Sequence, residues 1–386
     1  MKKTGLKTIM IFAAAIALIV AGVFIYLQQP QFGALPKGER LARIERSPNY
    51  VNGTFRNQIN TPMLTTEQSE WSMWMETLFT GQGQTRPPGP IPAIKTDLKS
   101  LDLSRDLVIW LGHSSFYVQL AGKRFLIDPV FSHNAAPLPW INTEFKGSGL
   151  YTVDDIPPID VLLISHDHYD HLDYNSIVSL KPKVRQVIVG LGVGADFEAW
   201  GYDMTAVHEA DWKEAITIAP GLQVHVMPAR HFSGRTFIRN KTLWVSFALI
   251  SPQRRLFFSG DTGYGPHFAE IGRQFGPFDL VALDMGQYDP RWANVHMNPE
   301  QAAQAAEELR THALLPQHVG RFSLAPHDWN DPFKRILAAS QKHHYALWTP
   351  QPGQPVYLDA QEQKFSHWWE SIPVNAPAAQ PGNENG

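Results

Sequence analysis

The sequence predicts an α/β sandwich whose strands deliver polar residues to one edge. Short apolar runs bounded by Gly, Pro and polar clusters recur from about residue 105 onward, which is typical of buried strands. Helix-start signals occur among the later runs, as in Asn298-Pro299-Glu300-Gln301. Several runs end in His or Asp, most densely at 166–171. Because chemistry concentrates in loops at strand ends, this edge is the expected functional site.

Length and composition restrict the kind of protein. At 386 residues the chain exceeds the usual size of a single core, so we expect one large domain with extensions. A net charge of -3 and a pI near 6.6, without a cluster of Lys and Arg beyond the N-terminus, argue against nucleic acid as a partner. The absence of Cys excludes disulfides, thiolate metal ligands and a Cys-linked lipid anchor.

The N-terminus has the pattern of a membrane anchor. Lys2, Lys3 and Lys7 precede an uncharged, mostly apolar run at 8–27, and twenty helical residues span about 30 Å, the thickness of one bilayer core. The positive charges predict that 1–7 stays cytoplasmic and that the rest lies outside the cytoplasm, in the periplasm of a Gram-negative bacterium. A cleaved signal peptide is the competing interpretation, and a buried core helix is the third.

An arm and linker are expected at 28–104, where prolines interrupt long elements. Within it, Trp71, Trp74, Met75 and Leu78 are spaced as one face of a helix. Such a helix either packs on the core or touches a membrane surface. A catalytic domain is expected at 105–350, followed by a C-terminal extension at 351–386 that ends in a disordered tail from Ala376.

The expected elements of the catalytic domain follow in order. A hairpin turn at Ala121-Gly122 and another at Ser251-Pro252-Gln253 join neighbouring strands. Helices are predicted at 195–200, 298–311 and 332–342. Strands are predicted at 107–111, 115–120, 123–127, 160–165, 184–189, 222–227, 244–250, 255–259, 279–283 and 314–315.

The segment 166–171, which reads His-Asp-His-Tyr-Asp-His, is predicted to bind metal ions. His166 and His168 project the same way from an extended backbone and can hold one ion, while the following turn directs Asp170 and His171 towards a second. Imidazole nitrogen and carboxylate oxygen suit zinc, with iron or manganese as weaker alternatives. A polar loop rich in His is the competing interpretation. With only 16 His in 386 residues, the metal site is favoured.

Together with His231, Asp261 in Ser-Gly-Asp-Thr and His318, this segment resembles the metallo-β-lactamase superfamily. Longer runs are similar to the N-acylphosphatidylethanolamine phospholipase D family and its bacterial relatives over about 105–345. These runs are LGHSSFYV from Leu111, DPVFS from Asp128, SHDHYDHLDY from Ser165, FSGDTGYGP from Phe258, FGPFDL from Phe275 and YDPRW from Tyr288. The resemblance implies an αββα sandwich with the metals at one edge, and a homodimer.

The resemblance also implies a ligand set for two zinc ions per chain. Its members are His166, His168 and His231 for the first ion, Asp170, His171 and His318 for the second, and Asp261 bridging both. Taken alone, His231 and His318 would be ordinary polar residues and Asp261 a common turn residue.

Three further residues have two interpretations each. Asp128 matches an Asp that supports a ligand His by a hydrogen bond, although a turn or cap is the simpler interpretation. His296 aligns with a His that faces the substrate, but it also stands beside a helix start, as a surface His would. His113 is expected to be structural rather than catalytic.

The resemblance implies hydrolysis of a phospholipid by a hydroxide that bridges the metals. With Asp170 and Asp261 ionised, two zinc ions keep about two positive charges, which favours an anionic phosphodiester over a neutral lactam. The products would be an N-acylethanolamine and phosphatidic acid, with His296 binding phosphate or assisting the leaving group. A hydrolase of the same fold for a lactone, lactam or other phosphodiester is the alternative, and a non-catalytic metal- or lipid-binding module is the third.

Overall fold

Two seven-stranded mixed sheets form the centre of the computed structural model, which describes residues 2–69, 72, 84–360 and 363–372. In spatial order, the first sheet contains β16 (Pro355–Tyr357), β3 (Leu107–Gly112), β4 (Ser115–Leu120), β5 (Lys123–Ile127), β6 (Ile159–Ile164), β7 (Val184–Gly190) and β8 (Val207–Ala210). The second contains β15 (Ala346–Leu347), β14 (Ala313–Gln317), β13 (Leu280–Asp284), β12 (Arg255–Phe258), β11 (Val245–Ile250), β10 (Leu222–Pro228) and β9 (Ala215–Ala219).

Helices cover both outer faces, and a short hairpin of β1 (Tyr50–Val51) and β2 (Thr54–Phe55) precedes the sheets. The helices are α1 (Lys2–Tyr26), α2 (Gly38–Ile44), α3 (Tyr174–Leu180), α4 (Gly194–Ala199), α5 (His267–Phe275), α6 (Pro299–Glu308) and α7 (Asp331–Ser340).

The core is divided by the alternation of side chains along each strand. In β3, Val108 and Trp110 pack with residues of the second sheet, whereas Ile109 and Leu111 pack outward in a cluster that includes Ile177 of α3. Successive side chains of a strand point to opposite faces, so one sheet contributes to two apolar layers. On the other side, α5, α6 and α7 share the main core cluster with the second sheet. The result is an αββα sandwich of mixed sheets.

Parallel pairing brings the candidate site residues to one edge. β5, β6 and β7 are parallel, as are β12, β13 and β14. β10 and β12 are both antiparallel to β11, so their carboxyl ends also lie at the same edge. A hydrogen bond from Val245 N–H to Ser165 O (2.9 Å) joins the two sheets there. The loops that follow β6, β10, β12, β13 and β14 therefore meet.

All strands predicted from the sequence are present, and both predicted hairpins are confirmed. The helix predicted at 298–311 ends earlier, at Glu308, because Arg310 adopts a positive φ of 58° and breaks it. Sequence reasoning missed three helices, α2, α3 and α5, and six strands, β1, β2, β8, β9, β15 and β16. The last of these pairs with β3, so chain beyond residue 350 completes the first sheet.

The segment after α1 lies against the sandwich. Ile44 and Phe55 are fully buried, and Ala34 N–H donates to the Asp196 carboxylate (2.7 Å). The aromatic helix predicted at 70–79 lies outside the described residues except for Ser72, as does the tail beyond residue 372.

α1 is long and apolar enough to cross a membrane. Among the helices of the described chain, it alone meets that test, with a mean hydropathy of 2.8 over Ile9–Tyr26 and no residue of that window buried. A signal sequence near an N-terminus would meet the same test.

Candidate metal centre

Four side chains form a first group of potential ligands at the shared edge. His168 Nδ1 lies 2.8 Å from His166 Nε2 and 3.3 Å from His231 Nε2. Asp261 Oδ2 lies 3.7 Å from His166 Nε2 and 3.8 Å from His231 Nε2. The two His of the predicted cluster therefore meet a His from the loop after β10 and an Asp from the loop after β12. Three imidazole nitrogens and a carboxylate oxygen are a donor set that suits zinc or iron.

A second group is centred on Asp170. Its Oδ2 lies 3.1 Å from His318 Nε2 and 3.4 Å from His171 Nε2. Asp261 completes the group, since its Oδ1 lies 3.1 Å from His171 Nε2 and its Oδ2 lies 3.3 Å from His318 Nε2. Asp261 is thus the one carboxylate that borders both groups among the described residues.

The turn that carries Asp261 depends on Gly260. This glycine has a φ of +56°, and a Cβ built on it would lie 2.7 Å from the Cβ of Ser165 in the other sheet. A side chain is therefore excluded by both backbone conformation and space. The close approach of the two sheets at this point brings Asp261 near the cluster after β6.

The outward-facing nitrogens of several imidazoles have partners of their own. His171 Nδ1 lies 2.8 Å from Asp128 Oδ2, and Asp128 also accepts hydrogen bonds from the backbone N–H and hydroxyl of Ser165 (2.7 and 2.6 Å). His231 Nδ1 lies 2.9 Å from the carbonyl oxygen of Val295. These contacts fix the ring orientations and direct the Nε2 atoms inward, as outer contacts do for metal-binding His. Asp128 is thus placed where it can orient His171 by a hydrogen bond, and its supporting role stays a prediction.

The centre concentrates charge in a buried volume. Burial would raise the pKa of Asp170 and Asp261, but the charge of His171 holds the pKa of both carboxyls well below the usual range. Burial would lower the pKa of His318, yet Asp261 and the other nearby carboxylates raise that pKa to about 10. The pKa of His171 is likewise held well above its ordinary value, against burial, by Asp261 and Asp170. Without another cation, protons on these imidazoles balance the carboxylates.

A metal ion would satisfy the buried polar atoms of the centre better than the side chains satisfy one another. His171 Nε2 and Asp261 Oδ1 are buried and lie 3.1 Å apart, but their geometry forms no hydrogen bond, and neither atom has another hydrogen-bond partner among the described residues. Buried polar atoms are rarely left unsatisfied, and a cation between these groups would satisfy both while replacing the protons. The donor set contains only nitrogen and oxygen, which suits zinc, iron or manganese.

His113 contacts the second group from outside. Burial lowers the pKa of His113 to about 4, so the ring is neutral at physiological pH. Its Nε2 lies 2.8 Å from Asp170 Oδ2, and it is fully buried. A neutral ring can donate this hydrogen bond and hold the carboxylate in place. His113 is also close enough to Asp170, His171 and His318 for the four side chains to share a metal ion, so its structural role stays a prediction.

His296 lies in the cleft above the centre. Its Nδ1 is 2.9 Å from Asp284 Oδ2, and its ring is stacked 5.0 Å from the ring of His318. Asp284, at the end of β13, also accepts a hydrogen bond from Thr262 N–H (3.0 Å). Sequence reasoning noted Asp284 only as a strand end. An acidic residue at a strand end beside the other ligand-bearing loops was the available signal.

The cleft has a volume of about 280 Å³ and combines the centre with apolar walls. Its polar lining includes His168, Asp170, Asp261, His296 and His318. Its apolar lining includes Met63, Leu64, Phe232, Trp292 and Leu324. Arg239, an exposed residue whose guanidinium lies 5.8 Å from the Phe232 ring, is the cation of this lining.

The N-terminal arm reaches this site, which the sequence did not reveal. Met63 and Leu64 form part of the wall, and Asn57 makes two hydrogen bonds to the backbone of His231. No periodic pattern marks these residues, because the arm is irregular and follows the surface of the core. Its part in the site depends on tertiary contacts alone.

The chain is similar to several known proteins. A family model described as a β-lactamase superfamily domain matches residues 123–319. An uncharacterized protein of Mycobacterium tuberculosis is 38% identical over 329 residues, covering 84% of this chain and 88% of that protein. The N-acyl-phosphatidylethanolamine-hydrolyzing phospholipase D 1 of Caenorhabditis elegans is 31% identical over 259 residues, covering 60% of this chain and 70% of that enzyme.

A solved structure shows the same fold. Igni18, a metallo hydrolase from the hyperthermophilic archaeon Ignicoccus hospitalis, aligns with a TM-score of 0.52 and 21% identity. The alignment covers 66% of this chain and 99% of Igni18.

Proposed function

The chain belongs to the metallo-β-lactamase superfamily of metal-dependent hydrolases, and we propose that within it the protein is a membrane-tethered phosphodiesterase of the phospholipase D type. The substrate is N-acylphosphatidylethanolamine or a related phospholipid, and the products are an N-acylethanolamine and phosphatidic acid. The similarity to the Caenorhabditis elegans enzyme, whose name states this substrate, supports the proposal.

The observation that carries the proposal is the composition of the cleft. An anionic phosphodiester linked to acyl chains requires cations at one end and apolar surface along its length. The cleft offers the candidate metal centre, the guanidinium of Arg239 and the apolar walls that include Phe232 and Trp292. A neutral lactone or lactam would gain less from the cationic groups, because its charge develops on one oxygen only.

The residues that would hold the metal ions are those of the two groups. We assign His166, His168 and His231 to one zinc ion and Asp170, His171 and His318 to the other, with Asp261 shared between them. When bound, such ions polarise a phosphoryl oxygen and make water nucleophilic near neutral pH. The short distances from Asp261 to both groups support its shared position. Asp128, Val295 O and Ser165 would keep the imidazoles oriented.

His296 is proposed to transfer a proton to the leaving group. Asp284 accepts a hydrogen bond from Nδ1 of this ring, which leaves Nε2 for a ligand in the cleft. The ring can donate from Nε2 to the alkoxide that departs from phosphorus, and its contact with Asp284 holds the ring in orientation for that step. In the overall reaction, water supplies the new P–O bond, the bond from phosphorus to the ethanolamine oxygen breaks, and that oxygen receives the proton.

α1 is proposed to span the membrane, with Lys2, Lys3 and Lys7 in the cytoplasm and the sandwich on the opposite side. The exposure and apolar composition of the helix support an anchor. A tethered enzyme meets a lipid substrate at a high effective concentration without new contacts.

One observation favours a second candidate. At about 280 Å³, the cleft is at the small end of ligand pockets and cannot enclose a diacyl lipid. A lipid substrate would have to leave its glycerol-linked chains outside the cleft. A hydrolase for a lactone, a lactam or a small soluble phosphodiester would have no such requirement, and is therefore the alternative.

The test is product analysis by mass spectrometry. The full chain, loaded with zinc and reconstituted in vesicles that contain N-acylphosphatidylethanolamine, should release N-acylethanolamine and phosphatidic acid. Release should stop in the presence of a chelator and resume when zinc is restored. If two zinc ions bind per chain and the lipid stays intact while a lactone or a soluble phosphodiester is hydrolysed, the alternative is correct.

A further inference from the structure

Two loops expose large apolar side chains to solvent. Outside α1, Phe237 and Trp140 are the most exposed large apolar residues of the described chain, at 87% and 72%, and Ile238 is 46% exposed. Large exposed apolar side chains grouped on one face mark an interaction surface. The neighbours of these loops show which surface they form.

Trp140 lies close to the end of α1. The hydroxyl of Tyr26, the last residue of that helix, donates a hydrogen bond to the carbonyl oxygen of Pro137 (2.8 Å). Three residues of extended chain span at most about 10 Å, so Trp140 lies within that distance of Pro137 along the backbone. Tyr and Trp are enriched where a membrane helix enters the interface.

Phe237 is tied to the same end of α1 by another route. The guanidinium of Arg235 donates to the carbonyl oxygen of Gln31 from Nε and Nη2 (2.9 and 2.6 Å). The Tyr26 ring contacts the Phe32 ring (centroids 5.3 Å apart), and the Phe32 ring contacts that of Tyr169 (6.4 Å). The Tyr169 hydroxyl donates to the carbonyl oxygen of Arg235. Phe237 is two residues after Arg235, a reach of at most about 7 Å. Both exposed apolar side chains therefore flank the point where the proposed membrane span ends.

The base of the Phe237 loop is held firmly. Arg235 is buried and also donates to the carbonyl oxygens of Asp167 and Leu172 (both 2.7 Å). Gly234 N–H donates to Asp167 Oδ1 (2.7 Å), and Asn240 N–H donates to Ser233 O (3.0 Å), closing the loop. An apolar tip on an immobilised base can enter a lipid surface without the cost of ordering a flexible segment.

We propose that Phe237, Ile238 and Trp140 form a docking surface that inserts into the same bilayer that α1 crosses. This inference rests on the proposed membrane span. The bilayer is the occupant favoured over a protein partner because both tips are tied to the end of that span, which sets their height at the membrane surface.

Docking in this way orients the cleft. Phe232 and Arg239 line the cleft and flank the loop that carries Phe237 and Ile238. The cleft therefore opens beside the lipid headgroups. A lipid could present its phosphodiester to the centre while its glycerol-linked chains stay in the bilayer, which removes the size conflict of the small cleft.

The absence of Cys from the chain allows a direct test. Phe237→Cys and Trp140→Cys in the full chain would each carry an environment-sensitive fluorophore, with the protein in vesicles of phosphatidylethanolamine and phosphatidylglycerol. The label should be quenched several-fold more by lipids with a spin label in the acyl chain than by iodide in the water. Ile94→Cys is the matched control, because Ile94 is also exposed and apolar but lies far from the end of α1. Ile94 lies beside β16, at one edge of the first sheet. The segment after α1 contacts α4, which packs on β8 at the opposite edge.

The outcomes separate this proposal from those on which it depends. Val23→Cys, within α1, reports on the span itself. If lipid quenches the label at position 23, but the labels at 237 and 140 are quenched no more by lipid than the label at 94, the docking surface alone is overturned. Protection of 237 and 140 from both quenchers would indicate a protein partner and also overturn it. Because the readout needs neither substrate nor metal, lipid quenching at 237 and 140 would stand even if N-acylphosphatidylethanolamine were not hydrolysed.

Discussion

Asn57, in the N-terminal arm, forms two hydrogen bonds with the backbone of His231. Its side-chain amide donates to the His231 carbonyl oxygen (2.8 Å), and its amide oxygen accepts from the His231 N–H (3.1 Å). The same oxygen accepts from the indole of Trp244 (3.0 Å). A segment outside the sandwich thereby fixes the backbone of a proposed metal ligand, so the arm is part of the site rather than only a linker.

Asn57→Ala should weaken metal binding. Without the two hydrogen bonds, the backbone of the His231 loop gains freedom, while the contact of the ring with Val295 O remains. Loss of such an outer contact typically costs about 10- to 100-fold in metal affinity. Zinc affinity would be measured by competition with a chromophoric chelator.

Asn49→Ala is the matched control for that variant. Asn49 also connects the arm to the core, through a hydrogen bond to Asp211 Oδ1 (2.8 Å) that does not involve the site. Zinc affinity should stay at the wild-type value in this control. Equal losses of affinity in both variants would show that general loosening of the arm, and not the contact with His231, is responsible.

Asp261→Asn should remove shared coordination while preserving shape. The carboxylate borders both groups, and an amide offers one oxygen and no negative charge. We expect fewer than two zinc ions per chain and a fall in turnover of about 100-fold or more. Metal content by mass spectrometry and product release would be measured together.

Asp154→Asn removes an exposed carboxylate that precedes β6, at the end of that strand opposite to the His cluster, and should leave both quantities unchanged. Full activity of Asp261→Asn with two zinc ions bound would end the assignment of Asp261 to both ions.

The site was predictable to the extent that its residues are close in sequence or end a strand. His166, His168, Asp170 and His171 follow one apolar run, so spacing alone indicated a metal site. The roles of residues such as His231 depended on a resemblance, because a single His after a strand carries little information. The structure brings them all together.

The rest could not be predicted because it depends on contacts between distant segments. Asn57 and Met63 reach the cleft from an arm without helical or strand periodicity. Helix α3 was missed because its seven residues follow the His cluster directly, although Asp173 caps it by accepting from Ser176 N–H. Short helices of this kind are stabilised mainly by packing, which is absent from local sequence patterns.

Ala121→Asn should stabilise the fold. Ala121 is exposed and has a φ of +50° in the turn between β4 and β5, followed by Gly122 at +71°. Two positive φ values in a two-residue hairpin loop favour Asn-Gly, and Ala lacks the local hydrogen bonding that makes this conformation tolerable. We expect a gain of about 0.5–1 kcal/mol in the free energy of unfolding, visible as a higher midpoint in thermal denaturation of the full chain in detergent.

Ala121→Val provides the opposite control at the same position. A β-branched residue is strained at positive φ, so the midpoint should fall below that of the wild type. A higher midpoint for both variants would indicate that side-chain packing, and not backbone conformation, governs this turn.

Asp196→Asn should change how stability depends on pH. Burial, reinforced by the nearby charge of Asp167 and opposed by Arg235, raises the pKa of Asp196 to about 7, whereas the pKa of an unfolded Asp is about 3.8. Between these values the folded state binds more protons than the unfolded state, so the contribution of Asp196 to stability is complete below pH about 4 and is lost as pH rises through about 7. In that interval its contribution falls by up to about 1.4 kcal/mol per pH unit.

The variant removes this titration but keeps an oxygen that can accept from Ala34 N–H. The measured quantity is the denaturation midpoint of the wild type minus that of Asp196→Asn at the same pH. This difference should decline from pH 5 to pH 7 and then level off. Asp203→Asn is the control, since hydrogen bonds from Thr205 lower the pKa of this exposed carboxyl, and it is ionised in both states across that window. If the difference in midpoint between the wild type and Asp196→Asn is as independent of pH as the difference for the control, Asp196 is charged in the folded protein. The group that accepts from Ala34 N–H of the arm would then be a carboxylate and not a carboxylic acid.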